Sequence, residues 1–346
     1  MASVDKEASF TVTRCLLAVS GSVRMVPVSS TDMDRLQGIS IHIPSFLKVG
    51  PERVIMGSVF TDWYSKYENF PVYQDDTWVV SYPKSGTTWT QELVWCLIND
   101  PKSPEAKLEL KKRFPFFEFD SLISLDLDTT DIRKDDPMCP GNTWHIVQNL
   151  SAPRTIKSHL PKELLPKQIW QVKPKTVYVC RDPRDVCVSY YYQFIKLHGY
   201  NNTFNHFVQL FLDELVLYSP FWQHILNFWK MRHEDHILFL RYEDMTKDLA
   251  AVVRQVAAFL GRDVNEEQVS WLTHHCSFEE MSKNPAVNYE TLRMAPTQEA
   301  KEIKFMRKGK VGDWRNHLTK EQQKAFKQWT LKYLQGTDFP YYQDYE

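Results

Sequence analysis

The sequence predicts one large α/β domain, a central and mostly parallel sheet with helices on both faces. Three observations carry this. Four short β-rich runs, at 77–82, 155–159, 176–180 and 237–242, are separated by stretches with helical spacing. The run Thr176-Val177-Tyr178-Val179-Cys180 is almost continuously apolar, as a strand buried on both faces must be. Turns begin at Pro83, Leu160 and Arg181, at the carboxyl ends of three of these runs, where parallel sheets hold their ligands.

No Gly/Ser linker, low-complexity tract or internal repeat divides the 346 residues. The domain is therefore placed at 41–346. Residues 1–40, rich in Ser, Val and Thr, are read as an extension that is partly mobile or packs over the domain edge. Hydrophobic residues make up 43% and aromatic residues 14% of the chain, enough for one sizeable core. A net charge of −1 excludes a general nucleic-acid or anionic-membrane binder, whose affinity rests on neutralising phosphates, so any anion specificity is local. No apolar run reaches the length of a membrane span. The short run Cys15-Leu16-Leu17-Ala18-Val19, preceded by Asp5 and Glu7, falls short of a signal sequence. The six cysteines (Cys15, Cys96, Cys139, Cys180, Cys187, Cys276) form no C-x-x-C pair and no metal-ligand spacing. A reduced, cytoplasmic enzyme without metal is the expectation. The two Asn-x-Ser/Thr sequons at Asn149 and Asn201 carry no meaning without secretion.

In chain order, 41–75 holds several Pro and aromatic residues and reads as irregular structure leading to the first strand. That strand, 77–82, runs into the turn cluster Pro83-Lys84-Ser85-Gly86, and Trp89, Leu93, Cys96 and Leu97 then recur at helical spacing. An aromatic run without helical order (114–119) and an acidic loop (126–140) precede the second strand, which Pro161 stops. The third strand ends in Arg181-Asp182-Pro183, where Asp182 can cap a helix and Pro183 can occupy its first turn. Helical patterns cover 204–217 and 221–231. After the fourth strand, Leu249, Val252, Val253, Val256, Phe259 and Leu260 mark an amphipathic helix ended by Gly261.

A strand, tight turn and helix present bare backbone N–H groups and the positive helix end to an anion. Lys84 adds a full charge, Ser85, Thr87 and Thr88 add hydroxyls, and Gly86 permits close backbone approach. The stretch reads as a phosphate or sulfate cradle. It is not the nucleotide-kinase loop G-x-x-x-x-G-K-[ST], because Lys84 comes two residues before Gly86 rather than after it. Lys157 and His159 point to the same side of one strand, pairing a cation with a titratable imidazole. Arg181 and Ser189 form a possible second anion grip. The segment 305–314 sets Arg307, Lys308 and Lys310 beside Gly309 and Gly312, a plausible flexible clamp. Each feature alone also fits a surface lysine, a hydrogen-bonded histidine or a solvated basic loop.

In this order, Tyr82-Pro83-Lys84-Ser85-Gly86-Thr87-Thr88-Trp89, Lys157-Ser158-His159-Leu160-Pro161, Arg181 with Ser189, and Arg307-Lys308-Gly309 with Gly312-Asp313-Trp314 resemble the cytosolic sulfotransferase family. The resemblance runs from about Ile43 to the C-terminus. It implies transfer of a sulfuryl group from 3′-phosphoadenosine 5′-phosphosulfate to a hydroxyl or amine, through a P-loop-like phosphosulfate-binding loop. By match to the family's motifs, Lys84, Ser85, Gly86, Thr87 and Thr88 hold the 5′-phosphosulfate and Trp89 stacks on adenine. Arg181, Ser189, Arg307, Lys308 and Gly309 hold the 3′-phosphate, with Phe305 and Met306 in the same binding segment. Tyr218, Cys276 and Phe278 fall where further nucleotide contacts are placed. His159 becomes the base, and Lys84 and Lys157 stabilise sulfate and leaving-group oxygens. A sulfuryl group carries less charge than a phosphoryl group, so lysines and backbone donors can replace Mg²⁺.

Ser158 stands where the family often has Thr, and Cys276 where it has a hydroxyl residue. The family's pairing segment, Lys-x-x-x-Thr-Val-x-x-x-Glu, is altered to Arg315, Thr319, Lys320 and Lys324, which argues against the usual homodimer. Phe114, Phe116, Phe117 and Phe119 are read as walls of an acceptor pocket for a phenol, steroid or other lipophilic alcohol. Two alternatives stand beside this reading: a dehydratase-like loss of sulfate from a sulfated allylic alcohol, and a P-loop nucleotide kinase.

Overall fold

The four β-rich runs become four parallel strands. The computed structural model describes residues 18–20, 23–122, 141–292 and 294–340. Strands β5 (Thr77–Val80), β6 (Thr155–Ser158), β7 (Lys175–Cys180) and β8 (Ile237–Arg241) lie in the order β6-β5-β7-β8. All three pairings are parallel, with Val80 opposite both Ser158 and Tyr178. The chain moves from β5 to one neighbour and then crosses to the other, so the strand order switches direction at β5. The carboxyl ends therefore bring Ser81, His159, Arg181 and Tyr242 to one edge of the sheet.

Alternation along the strands divides the core. Trp78, Val80, Ile156, Tyr178 and Cys180 face one layer, packed with the helices Pro183–Gln193, Phe204–Leu212, Phe221–Trp229 and Lys320–Leu334. Val79, Val177, Val179 and Leu240 face the other, against the helices Thr87–Ile98, Leu249–Phe259 and Glu266–His275. Asp182 caps the Pro183–Gln193 helix by accepting from the Arg184 N–H, as its sequence signature anticipates.

A second sheet is antiparallel and was not legible in the sequence. It comprises β1 (Ala18–Ser20), β2 (Val23–Pro27), β3 (Phe46–Val49) and β4 (Val54–Gly57). From Ala18 onward, then, the stretch expected as an extension pairs with the start of the domain. The backbone of Ile55 also exchanges hydrogen bonds with Tyr218 and Ser219, both at 2.9 Å, which ties this sheet to the main body. The expected irregular 41–75 stretch further contains a helix, Phe60–Glu68. Its aromatic residues Phe60, Trp63, Tyr64 and Tyr67 recur at i, i+3, i+4 and i+7 and are all buried. The helix expected over 204–217 stops at Leu212, and Glu214 adopts a positive φ of 58° soon after it. The acidic loop expected at 126–140 lies outside the described residues.

Candidate active site

The turn after β5 is shaped by two residues with positive φ, Lys84 at 67° and Gly86 at 108°. Gly86 is required twice over. Its φ lies in the left-handed region, and a Cβ there would come within 2.8 Å of Tyr242 Cδ2. The Thr87–Ile98 helix starts at once, so its first backbone N–H groups open toward the turn. Ser85 Oγ is buried with no hydrogen-bond partner among the described residues, a donor of the kind an anion would engage.

One cavity runs past this turn and gathers most of the expected residues. Its lining includes Lys84, Gly86, Thr87, Thr88, Trp89, Phe114, Phe116, Phe119, Lys157, His159, Arg181, Ser189, Cys276, Phe278, Phe305, Met306, Arg307, Lys308 and Gly309. Ser85 sits just behind the wall. Two expectations are corrected. Phe117 is wholly buried against Tyr67, Phe70 and Trp78 and is ordinary core, because the chain turns at Phe117 and Glu118 directly after the isolated bridge of Phe116 to Lys157. Tyr218 is likewise buried outside the cavity lining. Its ring stands edge-on to His159 with centroids 5.7 Å apart, and its hydroxyl donates to Glu118 at 3.2 Å.

His159 is held on several sides. Its Nδ1 lies 2.8 Å from the Ser81 carbonyl oxygen. A carbonyl only accepts, so Nδ1 carries the proton and Nε2 keeps the lone pair. Phe116 packs edge-on against the ring at 5.1 Å. Burial, followed by the nearby Lys157 charge, holds the imidazole well below its usual pKa, so it is neutral near pH 7.

The cations are crowded. Burial, then the charges of Arg181, Lys157, Arg307 and Lys196, lowers Lys84 to about 7. Burial also lowers Lys157. Each cation rests on an aromatic face: Lys84 Nζ is 4.2 Å from the Phe305 centroid, Lys157 Nζ 4.0 Å from Phe116, and Arg181 Cζ 4.2 Å from Tyr242. Such mutual repulsion in a low-dielectric cleft is the signature of a polyanion site.

The sequence reading assigned no role to three supporting carboxylates. Glu118 is buried and accepts from the His159 backbone N–H (2.6 Å) and Ser158 Oγ (2.8 Å) as well as from Tyr218. Burial raises its pKa, against these donors. Asp185 accepts from the backbone N–H groups of Gly312 (2.7 Å) and Trp314 (3.1 Å), fastening the C-terminal segment to the Pro183–Gln193 helix. Asp313 accepts from Arg307 (2.9 Å), Lys308 (2.7 Å) and Asn316 (3.0 Å). Burial opposes its ionisation, but the bonds from Lys308, Asn316 and Arg307 prevail and hold it well below the usual carboxylate range. Glu118 stood next to the aromatic run in the sequence, and a lone acid amid Phe residues was the available signal. Asp313 stood inside the Gly312-Asp313-Trp314 motif without a role of its own, and Asp185 gave no signal, since its partners lie far along the chain.

Behind the cradle helix, the side chains of Glu92, Cys96 and His275 converge, a grouping that sequence spacing did not reveal. Glu92 is already engaged there by Arg113 at 2.6 Å and His275 at 2.7 Å, forming a polar knot rather than an open ligand set. Cys96, Cys180, Cys187 and Cys276 are buried.

A mostly parallel α/β sheet with a cationic, glycine-containing turn at its switch point and an imidazole facing the same cavity has the layout of a group-transfer enzyme. Comparison with known proteins narrows the class. The sulfotransferase domain model matches residues 74–338. Luciferin sulfotransferase of Photinus pyralis is 36% identical over 303 residues, covering 85% of this chain and 81% of that protein. Sulfotransferase 1A1 of Mus musculus is 34% identical over 289 residues, covering 82% and 92%. Among solved structures, retinol dehydratase in complex with androsterone and the inactive cofactor PAP superposes with a TM-score of 0.85 at 28% identity, covering 93% of this chain and 98% of that one. The chain belongs to the sulfotransferase family, and it is a sulfotransferase.

Proposed function

We propose that the protein moves a sulfuryl group from 3′-phosphoadenosine 5′-phosphosulfate to the hydroxyl of a small lipophilic acceptor, with His159 as base. The observation that carries this is the shared cavity of the Lys84–Trp89 turn, the Arg181/Arg307/Lys308 group and the His159 ring. The donor fits the residues present: the orphaned Ser85 hydroxyl and the Gly86 cradle suit its phosphosulfate end. Arg181, Ser189, Arg307, Lys308 and Gly309 suit its 3′-phosphate, and Trp89, Cys276 and Phe278 its base. The similar retinol dehydratase structure holds the inactive cofactor PAP.

The donor supplies the sulfuryl group and leaves as adenosine 3′,5′-bisphosphate. Nε2 of His159 removes the acceptor's hydroxyl proton, which its neutral state at pH 7 allows. Lys84 and Lys157 offset charge on the sulfate and bridging oxygens. A carboxylate base would repel an anionic donor, whereas imidazole does not. Phe114, Phe116 and Phe119 give the acceptor an apolar wall and keep water out. The protein is read as cytoplasmic and metal-independent. No helix of the described residues is long and apolar enough to cross a membrane.

The test is transfer of label from radiolabelled donor to a panel of phenols, steroids and alcohols, with and without EDTA. Transfer that survives chelation supports the reading, and strict Mg²⁺ dependence would return the kinase alternative. A second reading, loss of sulfate from a sulfated allylic alcohol, is favoured by the TM-score of 0.85 to retinol dehydratase. An anhydro product in the same assay would identify it.

A further inference from the structure

We infer that His224 is a positioning residue for the reaction: hydrogen bonds running from the cradle through Tyr178 to His224 hold the backbone of His159 in place. This rests on the reading of His159 as base and adds the group that sets where that base stands.

Strand pairing does not hold His159. The register of β6 with β5 ends at Ser158, whose carbonyl accepts from the Ser81 N–H at 3.3 Å. Both backbone groups of the next residue go to buried side chains instead. Glu118 takes the His159 N–H at 2.6 Å, and His224 Nε2 lies 2.9 Å from the His159 carbonyl oxygen. The ring is fixed separately, by the Ser81 carbonyl. Three bonds on one residue leave the direction of its Nε2 little freedom.

His224 is chemically out of character for its place. It belongs to the helix Phe221–Trp229, which also buries Phe221, Ile225 and Phe228, and it is itself 1% exposed. Its ring centroid lies 5.8 Å from that of Tyr82 and 6.1 Å from that of Phe228. Packing alone asks for an apolar side chain there, because a buried imidazole is costly unless both nitrogens find partners. Both do. A carbonyl only accepts, so Nε2 carries the proton. Burial lowers the His224 pKa to about 4 and keeps the ring neutral, which leaves Nδ1 as an acceptor. The Tyr178 hydroxyl, 2.8 Å away, is therefore its donor.

The Tyr178 oxygen in turn takes a hydrogen bond from the backbone of Tyr82, the first residue of the cradle motif. The donors Tyr82 N–H, Tyr178 O–H and His224 Nε2–H thus point one way, toward the His159 carbonyl, and each bond polarises the next. The start of the cradle and the backbone of the base are joined through His224, which fixes how far the Lys84 turn stands from His159 Nε2.

The test is a double-mutant cycle read by label transfer to the acceptor best labelled in the panel above. Affinity for adenosine 3′,5′-bisphosphate is followed by tryptophan fluorescence. His224→Leu, of similar volume but without either bond, is expected to lower kcat about 10–100-fold while nucleotide affinity stays within about twofold. His224→Gln, whose amide N–H can reach the His159 carbonyl, is expected to restore most of that loss. In a His159→Ala background, His224→Leu is expected to cost nothing further, because no base remains to be placed. Tyr178→Phe, one oxygen smaller, is expected to lower kcat about three- to tenfold, and it carries the same comparison if His224→Leu does not fold. Losses that add in the His159→Ala background, or nucleotide affinity falling in step with kcat, make His224 structural and overturn the inference. Full turnover in every folded variant of His224 and Tyr178, with His159→Ala impaired, sinks the positioning role alone. Wild-type turnover in His159→Ala itself sinks the base reading and this role with it.

Discussion

The imidazole of His159 gives its Nδ1 hydrogen to the backbone carbonyl of Ser81, 2.8 Å away, so the strand that leads into the cradle also sets the tautomer of the proposed base. Replacing the ring removes proton acceptance without touching the cradle. His159→Ala is expected to lower turnover by roughly 10²–10⁴-fold. Equilibrium dialysis should show adenosine 3′,5′-bisphosphate binding nearly unchanged. Turnover like the wild type would refute the base assignment.

Lys84 gives a distinct pH signature. With its pKa lowered to about 7 in the free protein by burial and by Arg181, it loses its charge as pH rises through neutrality. The kcat/KM for donor is therefore expected to fall above about pH 7. Binding of the anionic donor restores the charged lysine, so kcat should stay level over the same range. A kcat/KM for donor that is flat from pH 6 to 9, judged on order-of-magnitude shifts, would show that this charge does not govern donor capture.

Gly86→Ala should damage the cradle directly. The left-handed φ of 108° costs about 1–2 kcal/mol for a residue with a Cβ, and Tyr242 must also move from its 2.8 Å approach. Because Tyr242 supports Arg181, donor affinity is expected to drop along with the melting temperature. Calorimetry of the free and nucleotide-bound forms reads both. A variant with unaltered affinity would mean that the turn tolerates the methyl group.

Glu118→Ala is expected to destabilise the fold by about 1–3 kcal/mol for each buried donor it leaves without an acceptor. It strips the partner from the His159 N–H, the Ser158 hydroxyl and the Tyr218 hydroxyl at once. Glu118→Gln, which keeps a side-chain oxygen to accept, should cost less. Urea titrations of the two variants decide it, and equal small losses would remove Glu118 from this supporting role.

The parallel sheet was readable because β-rich runs such as 176–180 alternate with helical periods, and because Pro83, Pro161 and Pro183 punctuate the ends. The antiparallel sheet was not. Its strands are three to five residues long, and β2 is held by pairing with Phe46–Val49 across nearly twenty residues, a relation that local pattern does not encode. The helix at Phe60–Glu68 was hidden by its aromatic content, although its spacing was regular. At the site, residues whose chemistry belongs to their own motif, Lys84, His159 and Arg307, could be named in advance. Residues that act by holding others, Glu118 and Asp185, could not, because their partners emerge only once the strand ends meet. Phe117 and Tyr218 show the converse error, aromatics near the chemistry that face the core.

The segment that follows Ile303 touches both of the anion grips proposed for the donor. Phe305 lies against Lys84, and Arg307 and Lys308, two and three residues on, gather at Asp313, whose neighbours are anchored by Asp185. The two grips are therefore mechanically one part. On the proposed reading, a departing nucleotide would not shed its phosphates independently, since displacing this strip of chain loosens head and tail together. On that reading, the residence time of the spent nucleotide would depend on how firmly the Gly312 and Trp314 amides hold to Asp185.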